Sequence, residues 1–281
     1  MDRIAITGMG VLSPAGRSLQ AFWDTLCRAR SVYGTIPSFA DDAQYRVKIG
    51  AQIADDDWAR DLPVDRYGKA ACYCLYTVKQ AVEDAGLSDK ALARKRVGVI
   101  QEEEAFTRWI CGKGEGSAAR FRERYPAYQI AHAVAEYYHA AGPCYVVPAA
   151  CAAGNYAVAM AKQLLQEGYA DILLVGGVDV FSRVAFAGFQ RLLSLAPDCC
   201  RPFDRTRKGL VLGEGCGFLV LERESERLGE NHYGRVLGAG LASNASHMTA
   251  PHKEGEGEWK AMHKAIADAG LRIDEVDYIS A

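Results

Sequence analysis

The chain has 281 residues, 49% of them hydrophobic and 24% charged, with a formal net charge of −2. This composition excludes disorder and allows one large or two ordinary domains. The balanced charge indicates no nucleic-acid surface, and no apolar run approaches the roughly 18 residues that a membrane helix needs. Nine cysteines without metal-ligand spacing favour a reducing cytoplasm over a disulfide framework.

Short β-branched runs alternate along the chain with amphipathic stretches. Strands are predicted over residues 4–7, 96–100, 145–147, 172–175 and 217–221. Apolar residues spaced three and four apart predict helices over residues 18–28, 69–85 and 152–167. This alternation predicts an α/β fold in which helices cover a mostly parallel sheet.

Two parts of the chain resemble each other. Residues 81–87 (Ala-Val-Glu-Asp-Ala-Gly-Leu) closely match residues 265–271 (Ala-Ile-Ala-Asp-Ala-Gly-Leu). In both places a glycine-punctuated strand precedes the helix and a short β-rich run follows it, at 276–279 in the second copy. The pattern predicts a duplication, with a first half at 1–232 and the start of a second half at 233–281.

Cys151 is the strongest candidate for chemistry. A predicted strand leads to it and a helix begins at or just after it, so free N–H groups and the helix dipole would stabilise a thiolate. Its small neighbours leave room for a substrate carbonyl, and its own amide could donate to an oxyanion. The alternative is a small buried cysteine that packs at a helix start. That second interpretation is our expectation for Cys27, Cys72, Cys74, Cys111, Cys144 and Cys216.

Residues 149–154, Ala-Ala-Cys-Ala-Ala-Gly, resemble the nucleophile motif of β-ketoacyl-acyl-carrier-protein synthases, which are condensing enzymes of fatty-acid and polyketide synthesis. Further segments resemble the same family in the family's own order: 6–16, 170–177, 201–204 with 213–217, and 246–251. The match is nearer to the type-two elongating synthases than to the degradative thiolases. The resemblance implies the thiolase-like fold, in which two similar α/β halves form a five-layer αβαβα sandwich.

The resemblance also implies a mechanism and partners. Cys151 would accept an acyl chain as a thioester from the phosphopantetheine arm of an acyl carrier protein, and a malonyl-carrier would supply the attacking carbon. No resident cofactor or metal is expected. Phe189 matches an aromatic residue of the acyl pocket, although core packing is an equal alternative, and His247 and Thr249 match positions at the mouth of the substrate tunnel. Family members are usually twofold dimers, so a homodimer or a heterodimer with a ketosynthase subunit is expected.

Two departures from the family qualify this interpretation. The first of the family's two catalytic histidines would follow directly after Ala281, so we expect an incomplete second half that does not condense substrates alone. Residues 101–104, Gln-Glu-Glu-Glu, stand where the family has a glycine-rich segment at the dimer interface and acyl pocket. A non-catalytic partner similar to chain-length factors is therefore an alternative, although Cys151 counts against it. A synthase split over two polypeptides is a third hypothesis.

Overall fold

The computed structural model describes residues 2–53, 57–59, 62–63, 66–93, 95–103, 128–226, 232–247 and 250–280. In these residues the strands are β1 (Ile4–Leu12), β2 (Gly34–Thr35), β3 (Ile49–Gly50), β4 (Val97–Glu103), β5 (Cys144–Val147), β6 (Ile172–Asp179), β7 (Gly215–Arg223) and β8 (Gly234–Val236). The helices are α1 (Leu19–Cys27), α2 (Lys69–Asp84), α3 (Asp89–Leu92), α4 (Tyr128–Tyr137), α5 (Ala153–Gln166), α6 (Arg183–Arg191) and α7 (Glu256–Ala269).

Six of the strands form one sheet in the order β5-β4-β6-β7-β1-β8. Strand β4 pairs in parallel with β5 and β6, whereas the pairings β6–β7, β7–β1 and β1–β8 are antiparallel. The α/β fold is confirmed, but the prediction of a mostly parallel sheet is wrong, because three of the five strand pairings are antiparallel. Strands β1, β4, β5 and β6 do point the same way, and the reversed β7 lies between β6 and β1.

Helices cover both faces of this sheet. Alternate residues of β6 point to opposite faces, so Ile172 and Leu174 pack in the core beneath α2 and α4. Leu173 and Val175 pack in a second core beneath α5. A strand buried on both faces is continuously apolar, which explains the run Ile-Leu-Leu-Val in the sequence.

In both matching segments a glycine approaches the backbone of the matching helix closely. At Gly10 in β1, an added Cβ would overlap the carbonyl oxygen of Thr77 in α2, and at Gly240 it would overlap that of Ala261 in α7. The two matching aspartates also bind backbone in the same way. Asp84 accepts a hydrogen bond from the Met9 amide at 2.9 Å, and Asp268 accepts one from the Ala239 amide at 2.8 Å. This correspondence supports the duplication.

Two predicted strand boundaries differ from the structure. Strand β6 continues to Asp179 instead of ending before Gly176, because that glycine lets the ring of Phe218 approach the backbone closely. The β-rich run 276–279 is not a strand, since it has no paired strand among the described residues and Tyr278 is 82% exposed. In the part of the chain that the structure describes, no helix is long and apolar enough to span a bilayer.

Candidate active site

The strand directions bring several segments to one edge of the sheet. Strands β1, β4, β5 and β6 all end at this edge, which we call the carboxyl edge, and β7 begins there. Ligands of α/β sheets bind outside the carboxyl ends of strands. The residues that follow β5 and β6 and those that precede β7 therefore define the candidate site.

Cys151 lies at a sharp strand-to-helix junction on this edge. Strand β5 ends at Val147, a short 3₁₀ turn spans Ala150–Ala152, and α5 begins at Ala153. Ala150 has a φ of 47°, which is a strained value for a residue with a Cβ. Cys151 is exposed to solvent. The alternative of a buried cysteine that packs at a helix start is therefore wrong for this residue.

The start of α5 is open. Its N-cap residue is Ala152, which offers no side-chain acceptor to the N–H groups of the first turn. A Cβ added at Gly154 would meet no atom within 4 Å. Small side chains thus leave space in front of both the sulfur and the positive end of the helix dipole.

The other cysteines fall into two groups. Cys72, Cys74 and Cys216 are buried as expected, and burial raises the pKa of Cys72 to about 11, which makes its thiol a weak nucleophile. The expectation of burial is wrong for Cys27 and Cys144, which are exposed. Cys27 ends α1, a helix without a buried residue, and Cys144 begins the edge strand β5. Cys111 lies outside the described residues.

Phe189 lies on α6, which follows β6 at the carboxyl edge. It is half-buried against an aromatic cluster that includes Phe39 and Phe186, whose ring centroids are 4.9 Å apart. Packing is thus one role of Phe189. Its predicted contact with an acyl chain stays a prediction.

His247 lies in the irregular segment after β8 and is exposed. Its Nδ1 accepts a hydrogen bond from the Ala250 amide at 3.0 Å. The predicted contacts of His247 and Thr249 with the pantetheine arm stay predictions, and Thr249 lies outside the described residues. In the 101–104 segment, Glu102 and Glu103 belong to β4, whereas Glu104 is outside the described residues.

Glu214 is a structural residue of this edge whose role the sequence did not reveal. Its side chain is fully buried just before β7 and accepts hydrogen bonds from the Ile53 amide at 2.8 Å and the Phe181 amide at 3.0 Å. Lys69 at the start of α2 donates a third, at 3.0 Å. Glu214 therefore fixes the segment that leads into α6. The only sequence signal is a carboxylate between two glycines.

Lys162 joins the two matching halves. This buried lysine of α5 contacts Asp268 of α7, with 2.9 Å between Nζ and Oδ2. The hydrogen bond from Lys162 lowers the pKa of Asp268. A cavity of 780 Å³ runs alongside this contact, from Val147 past Tyr156 and Met160 of α5 to Leu241. Among the described residues, no group of three His, Cys, Asp or Glu side chains could hold a metal ion.

Two family models match almost the whole chain. Residues 1–227 match the β-ketoacyl synthase N-terminal domain, and residues 233–281 match the β-ketoacyl synthase C-terminal domain. The chain therefore belongs to the β-ketoacyl synthase family of ketosynthase-type condensing enzymes, and its fold is the thiolase-like α/β fold that the sequence predicted.

Curated relatives and a solved structure agree with this assignment. The 3-oxoacyl-[acyl-carrier-protein] synthase 2 of Synechocystis sp. is 31% identical, over 99% of this chain and 72% of that protein. The ketoacyl synthase alpha subunit of the tetracenomycin polyketide synthase of Streptomyces glaucescens is also 31% identical, with the same coverage. The structure of the ishigamide ketosynthase/chain length factor is similar with a TM-score of 0.90 and 31% identity, over 99% of this chain and 72% of that chain.

Proposed function

We propose that this chain is an acyl-accepting ketosynthase subunit of fatty-acid or polyketide synthesis. The observation that carries the proposal is the exposed Cys151 at the junction between β5 and α5. The thiolate of Cys151 attacks the thioester carbonyl of an acyl group held on the phosphopantetheine arm of an acyl carrier protein. The bond from that carbonyl carbon to the carrier sulfur breaks, and the carrier sulfur takes up the proton that the Cys151 thiol lost when it became a thiolate. The carrier leaves as a free thiol, and an acyl-Cys151 thioester remains.

The surroundings of Cys151 suit this step. The tetrahedral intermediate carries an oxyanion, and the uncapped first turn of α5 provides N–H groups and a positive dipole end close to the sulfur. The neighbouring alanines and Gly154 allow a thioester to approach without displacing a large side chain. Nine cysteines without a disulfide pattern are typical of a protein of the reducing cytoplasm, and we place the reaction in that compartment.

The second half of a condensation needs groups that promote loss of CO₂ from a malonyl-carrier. The family resemblance assigns that task to two histidines, and none of the described histidines stands in that motif. Of the six described histidines, four are exposed and two are half-buried: His132, His139, His247 and His263 are exposed, and His232 and His252 are half-buried. We propose acyl transfer to Cys151 as the step that the described residues support.

The test is acyl transfer measured by intact-protein mass spectrometry. The purified chain is incubated with an acyl-loaded carrier protein, and the expected result is a mass increase of one acyl group. The variant Cys151→Ala should gain nothing, whereas Cys144→Ala, which removes another exposed thiol, should react like the parent. Absence of transfer to the parent, or equal transfer to Cys151→Ala, would contradict the proposal.

A second candidate function is a non-catalytic partner of a complete ketosynthase. One observation favours it: β5 is the last strand of the six-stranded sheet in the described residues, and Tyr145 on it is exposed, so this edge can pair with another chain. Similarity to a ketosynthase/chain length factor structure also supports it. Stable co-elution with a full-length ketosynthase, together with failure of acyl transfer to Cys151, would favour this candidate over the first.

A further inference from the structure

A cavity of 430 Å³ opens beside the carboxyl end of β1. Three backbone segments form its walls: the loop 13–17, the turn 30–32 after α1, and residues 52–53. Arg17 and Arg30 line it, and none of its lining residues in the described part of the chain is an aspartate or glutamate. Cys151 does not line this cavity.

The first wall is held rigidly. Ser13 and Gly16 exchange backbone hydrogen bonds of 2.9 and 3.1 Å, and a Cβ added at Gly16 would collide with the backbone of Phe22. The carbonyl of Arg17 accepts hydrogen bonds from the Tyr76 hydroxyl at 3.2 Å and from the Gln80 amide group at 2.7 Å. The loop therefore needs little ordering when a ligand binds.

The other two walls are also fixed. Ala29 takes a φ of 49° at the end of α1, and the Arg30 amide donates to the Thr25 carbonyl at 3.2 Å. Strained residues of this kind recur at ligand clamps. On the third wall, the Ile53 amide is bound to the buried Glu214 at 2.8 Å.

The walls of the cavity carry side-chain hydrogen-bond donors that have no acceptor in the part of the protein that the structure describes. Among the described residues, the side chains of Arg30, Ser31 and Gln52 have no hydrogen-bond or ion-pair partner. A guanidinium, a hydroxyl and an amide are all donors, so together they offer hydrogen bonds to one multivalent acceptor. Arginine in particular matches the oxygens of phosphate with a planar fork of N–H groups.

We propose that this cavity binds the phosphate group of a small phosphorylated molecule. The phosphate accepts from the guanidinium of Arg30, and Ser31 and Gln52 donate to its remaining oxygens. The volume is within the usual range of small-molecule sites, about 300–1,000 Å³. This proposal is independent of acyl transfer at Cys151.

The test is a ³¹P NMR titration of inorganic phosphate against the full chain at constant ionic strength. Saturable binding is expected, and Arg30→Gln should weaken it at least tenfold with an unchanged melting temperature. Arg28→Gln is the matched control, because Arg28 is exposed on the same turn and does not line the cavity. Malonate, a dianion without phosphorus, should displace phosphate poorly.

Three results would overturn the proposal. A response that rises without saturation shows that the cavity is not a site. If Arg28→Gln and Arg30→Gln weaken phosphate binding equally, the effect comes from the net charge of the protein and not from the cavity. If an equal concentration of malonate displaces phosphate, the cavity binds dianions in general and is not a phosphate site.

Discussion

At the carboxyl edge of the sheet, the buried carboxylate of Glu214 accepts hydrogen bonds from two backbone amides and one lysine. Truncation to Glu214→Ala leaves the amides of Ile53 and Phe181 without their acceptor. Since an unsatisfied buried polar group costs about 1–3 kcal/mol, we expect the free energy of unfolding to fall by about 2–4 kcal/mol in urea titrations.

Two variants control this measurement. Glu214→Gln keeps one acceptor oxygen, so its loss of stability should be smaller than that of Glu214→Ala. Glu167→Ala removes an exposed glutamate at the end of α5 and should change the free energy by less than about 0.5 kcal/mol. If Glu214→Ala were as stable as Glu167→Ala, the anchoring role of Glu214 would be wrong.

Cys151 could be found from the sequence and the role of Glu214 could not. The signal for Cys151 is local, because the strand before it, the small residues around it and the helix after it are contiguous. Glu214 acts through Ile53, Lys69 and Phe181, which are brought to it only by the fold.

At the scale of the secondary-structure elements, two Gly-x-Gly runs approach a helix closely. Gly8 and Gly10 lie against α2, and Gly238 and Gly240 lie against α7. A methyl group at Gly10 collides with the backbone of α2, and one at Gly240 collides with the backbone of α7. Because overpacking costs about 1–3 kcal/mol, we expect Gly10→Ala and Gly240→Ala each to lower the free energy of unfolding by at least that amount. Thermal unfolding monitored by circular dichroism measures the effect.

Gly188→Ala is the matched control for these two variants. Gly188 lies inside α6, and a Cβ there meets no atom within 4 Å. Alanine is preferred to glycine by about 0.5–1 kcal/mol in a helix, so this variant should be more stable than the parent. A destabilisation of Gly188→Ala equal to that of Gly10→Ala would contradict the steric explanation.

The contact between Lys162 and Asp268 predicts a pH dependence for the packing of α5 on α7. Hydrogen bonding to Lys162 lowers the pKa of Asp268 below its ordinary value of 3.8. The folded protein therefore binds the Asp268 proton less tightly than the unfolded chain. The contribution of the pair is complete above about pH 4 and is lost as the pH falls through the lowered pKa.

The two single variants of this pair should differ. Asp268→Asn leaves the buried Lys162 charge without its ionic partner. Because Asp268 is 41% exposed and Lys162 also donates to Gln166, we expect a loss of about 1–2 kcal/mol at neutral pH. Lys162→Met removes the buried charge, so the loss should be smaller, and the acid limb of the stability curve should become less steep. Equal losses, or an unchanged acid limb in Lys162→Met, would contradict this explanation.

Hydrophobic periodicity and glycine positions predict the bounds of most elements to within a few residues. Helix α2, for example, is predicted at 69–85 and observed at Lys69–Asp84. The position of β7 between β6 and β1 could not be predicted in this way, because strand order depends on contacts between distant residues. The same reason explains why the run 276–279 is not a strand. Its residues favour β structure, but a strand forms only where a neighbouring strand pairs with it.

For the whole molecule, the described residues contain a six-stranded sheet with helices on both faces and a small two-stranded sheet, β2–β3. They also contain the first strand and helix of the predicted second half, β8 and α7. The segment order, the internal repeat and Cys151 together allowed the family to be predicted from sequence. Substrate length was beyond that prediction, because it depends on the walls of a pocket rather than on a motif.

The central claim is that Cys151 accepts an acyl group, and protection from alkylation tests it most directly. The chain is incubated with an acyl-loaded carrier protein, treated with iodoacetamide and analysed by peptide mapping. We expect the acyl donor to protect Cys151 and to leave alkylation of Cys144 and Cys27 unchanged. Alkylation of Cys151 that is the same with and without the acyl donor would contradict the claim.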